Sequence, residues 1–417
     1  MNSEIPGART MLSGEESSPR YAGWRVVAAC FLIEMFLFGF GLYGHALYLA
    51  ELQRLHGWST ELVSTASTLS FLLGSLLAVF TSDALASIGP KRFLLIGLSA
   101  LAASTTLLAF SASAWQLYAA YVLMALGWMG MGTVVVATVL SAWFDRRRGL
   151  AISLAFNGAT FGGIVIAPVL VLLVGAIGFT SAMLTATVVM LVVLLPVVCF
   201  LIQVPPSKSP SPQPRPPKTE AGGRSRWLLL RSRDFWTVSA PFALALLAQV
   251  GFIVHQIAIL EPAMGRSFAA VAVAVTTTMA VIGRLSLGLV VDRLDPRAVT
   301  AVSVASQAAA LFVIAQTTDP SALLVACAVY GFSIGNLITL PPLIIQREFE
   351  PIEFGMVLGL STGIGGVISA FGPGLIGLAR GASGGYAGAL MLCVMLDLSA
   401  AVLVLLRPHR RVEHGRS

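Results

Sequence analysis

Charge is scarce in this 417-residue sequence. Asp, Glu, Lys and Arg together make up 11% of it, where a soluble domain carries roughly 25%. With 57% hydrophobic residues and a mean hydropathy of +0.86, the composition excludes a soluble globular domain and indicates a membrane protein. Cysteine is also sparse. Cys30, Cys199, Cys327 and Cys393 all fall in apolar runs, and no two share a metal or redox spacing. They read as small core residues. No G-x4-G-K-[ST] motif, nucleophile elbow or metal-ligand cluster occurs, so an ATP-driven pump and a membrane enzyme are excluded and no cofactor or catalytic residue is expected. Alternating ten-residue segments, the mark of a transmembrane barrel, are missing as well. Residues 1–20 mix acidic and basic groups without a short apolar core, so no cleaved signal peptide is expected.

What the chain does have is long apolar runs. They occupy residues 24–49, 62–85, 93–110, 115–144, 150–174, 179–202, 235–260, 268–291, 299–315, 322–345, 356–379 and 386–406. Each is long enough to cross most or all of a hydrocarbon core about 30 Å thick. The fold class expected is an all-α membrane protein of twelve transmembrane helices. Residues 204–234 interrupt the series with Pro205-Pro206, Pro210, Pro212, Pro214 and Pro216-Pro217 among Ser, Lys and Arg. Such a segment forms neither helix nor core and reads as a semi-extended linker. The expected organisation is a tail (1–22), a six-helix bundle (23–203), the linker (204–234), a second six-helix bundle (235–407) and a tail (408–417).

Basic residues set the orientation. Alternate connections, starting with the N-terminal tail, hold 22 of the 26 Lys and Arg, and the opposite side holds only Arg54, Arg266 and Arg380. Positive charge stays cytoplasmic, so both termini and the linker are expected inside, in a plasma membrane of the bacterial inner-membrane kind. The pI near 9.6 then reflects topology and contact with anionic lipid. Aromatics lie in the membrane segments rather than within a basic patch, so nucleic acid is not an expected partner.

The remaining basic residue, Arg284, sits inside the apolar run 268–291, eight residues or roughly 12 Å from the polar boundary at Asp292. An arginine so deep faces protein or a water-filled cavity and marks an ion or ligand path. A cation there calls for an anion. The alternative is a structural arginine that snorkels or bonds helix-end carbonyls.

The two halves are related. An offset of 206 lays Gly89-Pro90-Lys91-Arg92 over Asp295-Pro296-Arg297-Ala298, an offset of 205 lays Gly158 and Pro168 over Gly363 and Pro373, and an offset of 210 lays His45-x5-Glu51 over His255-x5-Glu261. Six helices separate equivalent positions, so the repeat is parallel, about an axis along the membrane normal.

At these residues the chain resembles the major facilitator superfamily. Gly288-Leu-Val-Val-Asp292-Arg293-Leu-Asp-Pro296-Arg297 matches that family's signature G-x-x-x-D-R-x-x-(P/R)-R after helix 8. After helix 2 the signature is eroded: Ser82, Ala86 and Ser87 replace Gly, Asp and Arg, and Asp83 stands almost one turn before the missing acid. The resemblance implies alternating access between two bundles, with Gly288, Asp292, Arg293 and Arg297 serving a conformational latch. A narrower resemblance is to the monocarboxylate and oxalate/formate branch. Trp143-Phe144-Asp145-Arg146-Arg147-Arg148-Gly149-Leu150-Ala151 is similar to its loop 4–5, Gly283-Arg284-Leu285-Ser286-Leu287-Gly288-Leu289 to its helix 8, and Gly23-Trp24 to its helix 1 start. This implies that Arg284 holds a substrate carboxylate. Residues 356–379 lack the helix 11 lysine of the oxalate members, which argues against a dicarboxylate.

In this family helices 1, 4, 7 and 10 line the cavity, which groups the polar residues. Thr277 shares a face with Arg284, and a guanidinium plus a hydroxyl suits a carboxylate, although Thr277 can equally bond its own backbone. On helix 1, Glu34, Phe38, Gly41 and His45 fall at i, i+4, i+7 and i+11, one stripe of a regular helix; Glu34 is a candidate proton carrier. His45 and His255, at matched positions, are further candidates for proton coupling or for gating. Tyr121 on helix 4 and Asn336 on helix 10 are candidate substrate contacts, each with helix packing as the alternative. Asp397 on helix 12 reads as a packing residue. The expected activity is secondary transport of a small organic anion with a proton, by a monomer that needs no metal. The alternatives are export of amphipathic metabolites, or a transporter-like sensor.

Overall fold

The computed structural model describes Glu16, Ser18 and residues 21–144, 147–202, 226–290, 294–350 and 353–406. These residues form helices and short connections, with no strand among them. Eleven helices are long and apolar enough to cross a membrane. We label them α1 (Gly23–His56), α2 (Thr60–Ile88), α3 (Pro90–Ala109), α4 (Ala114–Trp143), α5 (Leu150–Ile177), α6 (Phe179–Leu201), α7 and α8 (the two arms of Arg233–Val290), α9 (Pro296–Gln316), α10 (Pro320–Glu348), α11 (Met356–Ser383) and α12 (Tyr386–Leu405). A continuous helix of 58 residues would be roughly 87 Å long, far more than one crossing. Gly265 resolves this. It has φ 73° and ψ 165°, a backbone conformation open to glycine but strained for a residue with a Cβ. The side chains of Gln256 and Thr276, nine residues before and eleven after it, are hydrogen-bonded at 2.9 Å, so the arms fold back as a hairpin. Twelve crossings result.

Local chemistry sets several helix starts. Ser59 Oγ accepts from Leu62 N at 3.2 Å to cap α2, and Asp319 Oδ2 accepts from Ala322 N at 2.7 Å to cap α10. Pro90, Pro296 and Pro320 each open a helix, where their missing N–H costs nothing. Outward faces stay apolar: α6 presents Val188, Val189, Val192 and Phe200, and α9 presents Val302 and Phe312, as lipid-facing surfaces require. Linker residues 203–225 lie outside the described residues. The end of the expected linker is helical, as Arg226–Arg231 followed by the start of α7 at Arg233.

The chain folds into two compact units. The first comprises the described residues of Met1–Pro214 with Ile253–Thr277, and the second those of Arg215–Phe252 with Thr278–Ser417. The tip of the α7–α8 hairpin therefore belongs with α1–α6, whereas a division at the linker assigns it to the other half. Electrostatics and packing give the reason. Arg266, just past the hairpin turn, pairs with Glu51 at the end of α1 at 2.5 Å, and Arg54 pairs with the other oxygen of Glu51 at 2.7 Å. Thr277 packs its methyl group against Gly163 of α5, where an added Cβ would collide with it.

Two helices in the first unit depart from regular geometry together. α1 contains a π-helical turn at Gly39–Tyr43, and α5 contains one at Gly162–Ile166. They meet at glycine: a Cβ on Gly162 would lie 2.6 Å from both Gly39 N and Met35 O. The backbone approach that glycine permits is what lets both bulges pack. This corrects the helix 1 stripe. A π turn holds more residues than an α turn, so His45 rotates off the Glu34 line by roughly a quarter turn.

Candidate functional site

Arg284 is half-buried on α8, in the second unit. Its Nε donates to the carbonyl oxygen of Gly335 at 3.3 Å. That carbonyl begins a 3-10 turn, Gly335–Ile338, which interrupts α10. Two close helix contacts place the arginine there. A Cβ on Gly283 would collide with the carbonyl oxygen of Phe332, and one on Gly335 with that of Ala280, so α8 and α10 touch backbone to backbone on either side of Arg284. The next residue, Asn336, is buried and donates from Nδ2 to Ser303 Oγ of α9 at 3.1 Å. Its Oδ1 has no hydrogen-bond partner among the described residues. The structure thus brings Arg284 to the break in α10 at which Asn336 also stands, the guanidinium bonded to the Gly335 carbonyl and the Asn336 amide to Ser303 of α9. Such a pair is chemically suited to a planar anion.

Thr277 does not join them. Its hydroxyl donates to the backbone carbonyls of Val273 at 2.9 Å and Ala274 at 3.1 Å, and it sits two turns from Arg284 in the portion of α8 that belongs to the first unit. The backbone alternative prevails there because an apolar helix interior offers a threonine hydroxyl no better acceptor.

In the first unit His45 and Tyr121 come together. The His45 ring meets Tyr121 edge-on at 5.0 Å between centroids and stacks on Phe71 at 4.8 Å, with Tyr48 at 6.0 Å. His45, Tyr48 and Tyr121 are fully buried. Neither nitrogen of His45 has a hydrogen-bond partner among the described residues. Glu34, also fully buried, lies on α1 before the π turn, and both its carboxyl oxygens lack hydrogen-bond partners among the described residues. His255 is buried in the hairpin tip, in the first unit. No group of three or more His, Cys, Asp or Glu able to hold a metal ion occurs among the described residues.

Of the expected latch, Asp292 and Arg293 lie outside the described residues and Gly288 contributes helical backbone. Arg297 is 1% exposed at the start of α9. Its Nε and Nη2 donate to the two oxygens of Glu348 at 2.6 and 2.7 Å. Nη2 also donates to Thr237 Oγ1 at 3.1 Å. Nη1 donates to the carbonyls of Val404 at 2.6 Å, Thr237 at 3.3 Å and Leu406 at 3.4 Å. One guanidinium therefore ties α7, α9, α10 and the end of α12 within the second unit. Glu348 and Glu51 were not singled out from the sequence as site residues. The signal for each was an acid directly beside, or three residues from, a basic residue at a helix end: Arg347-Glu348 and Glu51-x2-Arg54.

The loop 4–5 signature also has a structural explanation. Tyr21 and Trp24, at the start of α1, pack on Phe144 at 5.4 and 5.0 Å between centroids, and Tyr21 Oη donates to the Trp143 carbonyl at 2.5 Å. Glu16 accepts from Arg147 N at 3.0 Å. Asp145 and Arg146 lie outside the described residues.

Comparison with known proteins agrees with this architecture. The sequence profile described as Major Facilitator Superfamily matches residues 31–373. Monocarboxylate transporter 11 of Mus musculus is 27% identical over 408 residues, covering 91% of this chain and 86% of its own length. The aspyridones efflux protein apdF of Emericella nidulans is 24% identical over 267 residues, covering 63% of this chain and 52% of its own length. Among solved structures, a bacterial homologue of the human lysosomal transporter Spinster superposes with a TM-score of 0.67 at 15% identity, covering 93% of this chain and 95% of that one; at that identity it speaks to the fold alone. With twelve crossings, a paired repeat and a profile match over most of its length, the chain belongs to the major facilitator superfamily, a family of multi-pass membrane transporters.

Proposed function

We propose that this protein is a secondary transporter of a small organic anion, a monocarboxylate, working by alternating access with proton symport. The observation that carries the reading is Arg284: the one basic side chain deep in an apolar span, fixed by the Gly335 carbonyl at the break in α10. A cation held at such depth is matched by an anion. Asn336 is the second substrate contact. Glu34 is the proton carrier: a buried carboxyl without a hydrogen-bond partner among the described residues and without a Lys or Arg on its own helix between Arg25 and Arg54. His45 and His255 assist at the outer ends of α1 and α7. The similarity to monocarboxylate transporter 11 supports the substrate class. The similarity to an aspyridones efflux protein supports a second reading, export of amphipathic metabolites.

Uptake into proteoliposomes separates the two. An inward proton gradient is expected to drive accumulation of labelled lactate or formate, and external pH is expected to rise as the acid enters. Accumulation that ignores the gradient for every small carboxylate tried, together with binding of amphipathic compounds, reverses the choice. In Glu34→Gln, gradient-driven accumulation is expected to collapse to the level of simple exchange, while counterflow at equal pH persists. Unchanged accumulation removes Glu34 from the mechanism and moves attention to the histidines.

The proposed topology places both termini and the linker in the cytoplasm, with α1 leaving it. Protease added to right-side-out cells is expected to spare residues 205–223, and inside-out vesicles are expected to be cut there, because that segment has few apolar residues with which to protect itself. The opposite pattern inverts the topology.

A further inference from the structure

A second buried carboxyl group lies outside the proposed transport site. Asp397, midway along α12, is fully buried, and both of its oxygens lack hydrogen-bond partners among the described residues. Other buried polar side chains of the second unit share this state, among them Gln307 of α9, at both amide atoms, and Tyr330 of α10, at its hydroxyl. Three orphaned polar groups in one apolar unit are costly separately, at roughly 1–3 kcal/mol each, which raises the question of whether they lie together.

Helix register answers it. Arg297 at the start of α9 bonds Val404 at the end of α12, so these helices run antiparallel, and Gln307 stands level with residue 394, three residues or roughly 4.5 Å from Asp397. Ser306 bonds Ser333 and Asn336 bonds Ser303, which sets α9 against α10 and brings Tyr330 level with residue 309. All three therefore fall within a layer roughly 8 Å thick. Asp397, Cys393 and Cys327 lie within electrostatic range of the Tyr330 hydroxyl, which supports the placement from a second direction. The Tyr330 ring is held edge-on by Phe252 of α7 at 4.6 Å between centroids.

No cation serves this layer among the described residues. On α9 the sole charged residue is Arg297, ten residues or roughly 15 Å from Gln307 and already bound to Glu348. On α10 the charged residues are Arg347 and Glu348, at the end of the helix and 17 and 18 residues past Tyr330. On the part of α7 within the second unit they are Arg233 and Asp234, at the start of the helix and 19 and 18 residues before Phe252. On α11 it is Arg380, which lies over the Tyr386 ring at 4.9 Å, eleven residues from Asp397. Arg284 of α8 bonds Gly335, five residues past Tyr330 and on another face of α10. His255 of α7 belongs to the first unit. The remaining titratable neighbours are the thiols of Cys393 and Cys327. An ionised Asp397 would hold a charge among apolar side chains with no hydrogen bond donated to it among the described residues. A protonated one supplies the missing donor and matches the acceptors of Gln307 and Tyr330.

We propose that Asp397, Tyr330 and Gln307 form a proton-binding site in the core of the second unit, in which Asp397 holds the proton as a carboxylic acid and donates it within that layer. The site is separate from Glu34 and from Arg284. It stands whether or not the cargo is a carboxylate, because nothing in it touches the proposed anion site.

Infrared spectroscopy of the full-length protein in lipid tests the assignment through the carbonyl band of protonated carboxylic acids. The background is Glu34→Gln, which removes the other fully buried carboxyl without a hydrogen-bond partner among the described residues; the buried Glu51 is ion-paired to Arg54 and Arg266. In that background Asp397→Asn is expected to abolish the band, and Tyr330→Phe to shift its frequency by removing a hydrogen-bond partner. A folded Glu34→Gln/Asp397→Asn protein whose spectrum in this region equals that of Glu34→Gln overturns the proposal. Should Asp397→Asn fail to fold, Tyr330→Phe and Gln307→Leu decide: a frequency shift in either supports the site, and a band unmoved in both overturns it. Substrate uptake plays no part in the readout, so failure of the transport reading and failure of this one are distinguishable.

Discussion

Arg284→Ala is expected to insert and fold yet lose essentially all carboxylate binding, and Arg284→Lys to lose most of it. The guanidinium is planar and presents paired donors, and the bond from Nε to the Gly335 carbonyl fixes its plane. An ammonium keeps the charge and loses the fork. Removing one partner of a desolvated charged pair costs roughly 2–5 kcal/mol, more than tenfold in affinity. Thermal-shift titration of purified protein with small carboxylates measures the effect. Folding is expected to survive because α8 and α10 are held by the glycine contacts at Gly283 and Gly335. Affinity within a few-fold of wild type in a folded Arg284→Ala protein would falsify the anion site, leave Arg284 as a packing residue and put metabolite export first.

Arg297→Met is expected to destabilise the protein strongly. Six hydrogen bonds radiate from that side chain to Glu348, Thr237, Val404 and Leu406. Breaking a buried pair by removing one partner costs roughly 3–5 kcal/mol, and the figure for Arg297 lies at the low end because Glu348 is 28% exposed and regains some hydration. The carbonyl of the fully buried Val404 has no such recourse. A lowered melting midpoint in detergent is the expected result, with part of the loss recovered in Arg297→Met/Glu348→Leu, where no unpaired charge remains. Melting unchanged from wild type would show that the four helix ends are held by apolar packing alone. The family resemblance implies a latch role for Arg297, and its six hydrogen bonds mean that the start of α9 cannot shift without releasing α7, α10 and α12 together.

The apolar crossings were legible because a bilayer imposes a length on each of them, and a run of apolar residues long enough to span it has no other comfortable place to go. The orientation rested on the same logic, since Lys and Arg are confined to the connections. Arg284 stood out because a charge inside such a run is expensive enough to need a reason. All three readings rest on the one-dimensional cost of placing a group at a given depth, which a sequence records directly. The hairpin at Gly265 was legible too, as two apolar runs, and the non-helical backbone there separates them.

Pairing between segments is a different matter, and there the tertiary structure decided. Regular helical spacing put Glu34 and His45 on one line, but the π turn at Gly39–Tyr43 displaces them, and that turn exists because Gly162 of α5 lies against Gly39. Thr277 had two acceptors open to it in principle, and its own helix won. The partners of Arg297 lie 51, 60, 107 and 109 residues away, and no local pattern names them. Glu51 and Arg266 were each visible as outer-face charges, but their pairing, which attaches the hairpin tip to the first unit, depends on two helix ends meeting in space. Asp397 reads as a packing residue from the sequence; the proposal of a proton site there rests on α9, α10 and α12 setting Gln307 and Tyr330 at its level. Depth in the membrane is a property of each segment alone, fixed by its own transfer free energy. Which side chains meet is fixed by the packing of several segments at once, and in this chain a few glycines settled it by letting backbones touch.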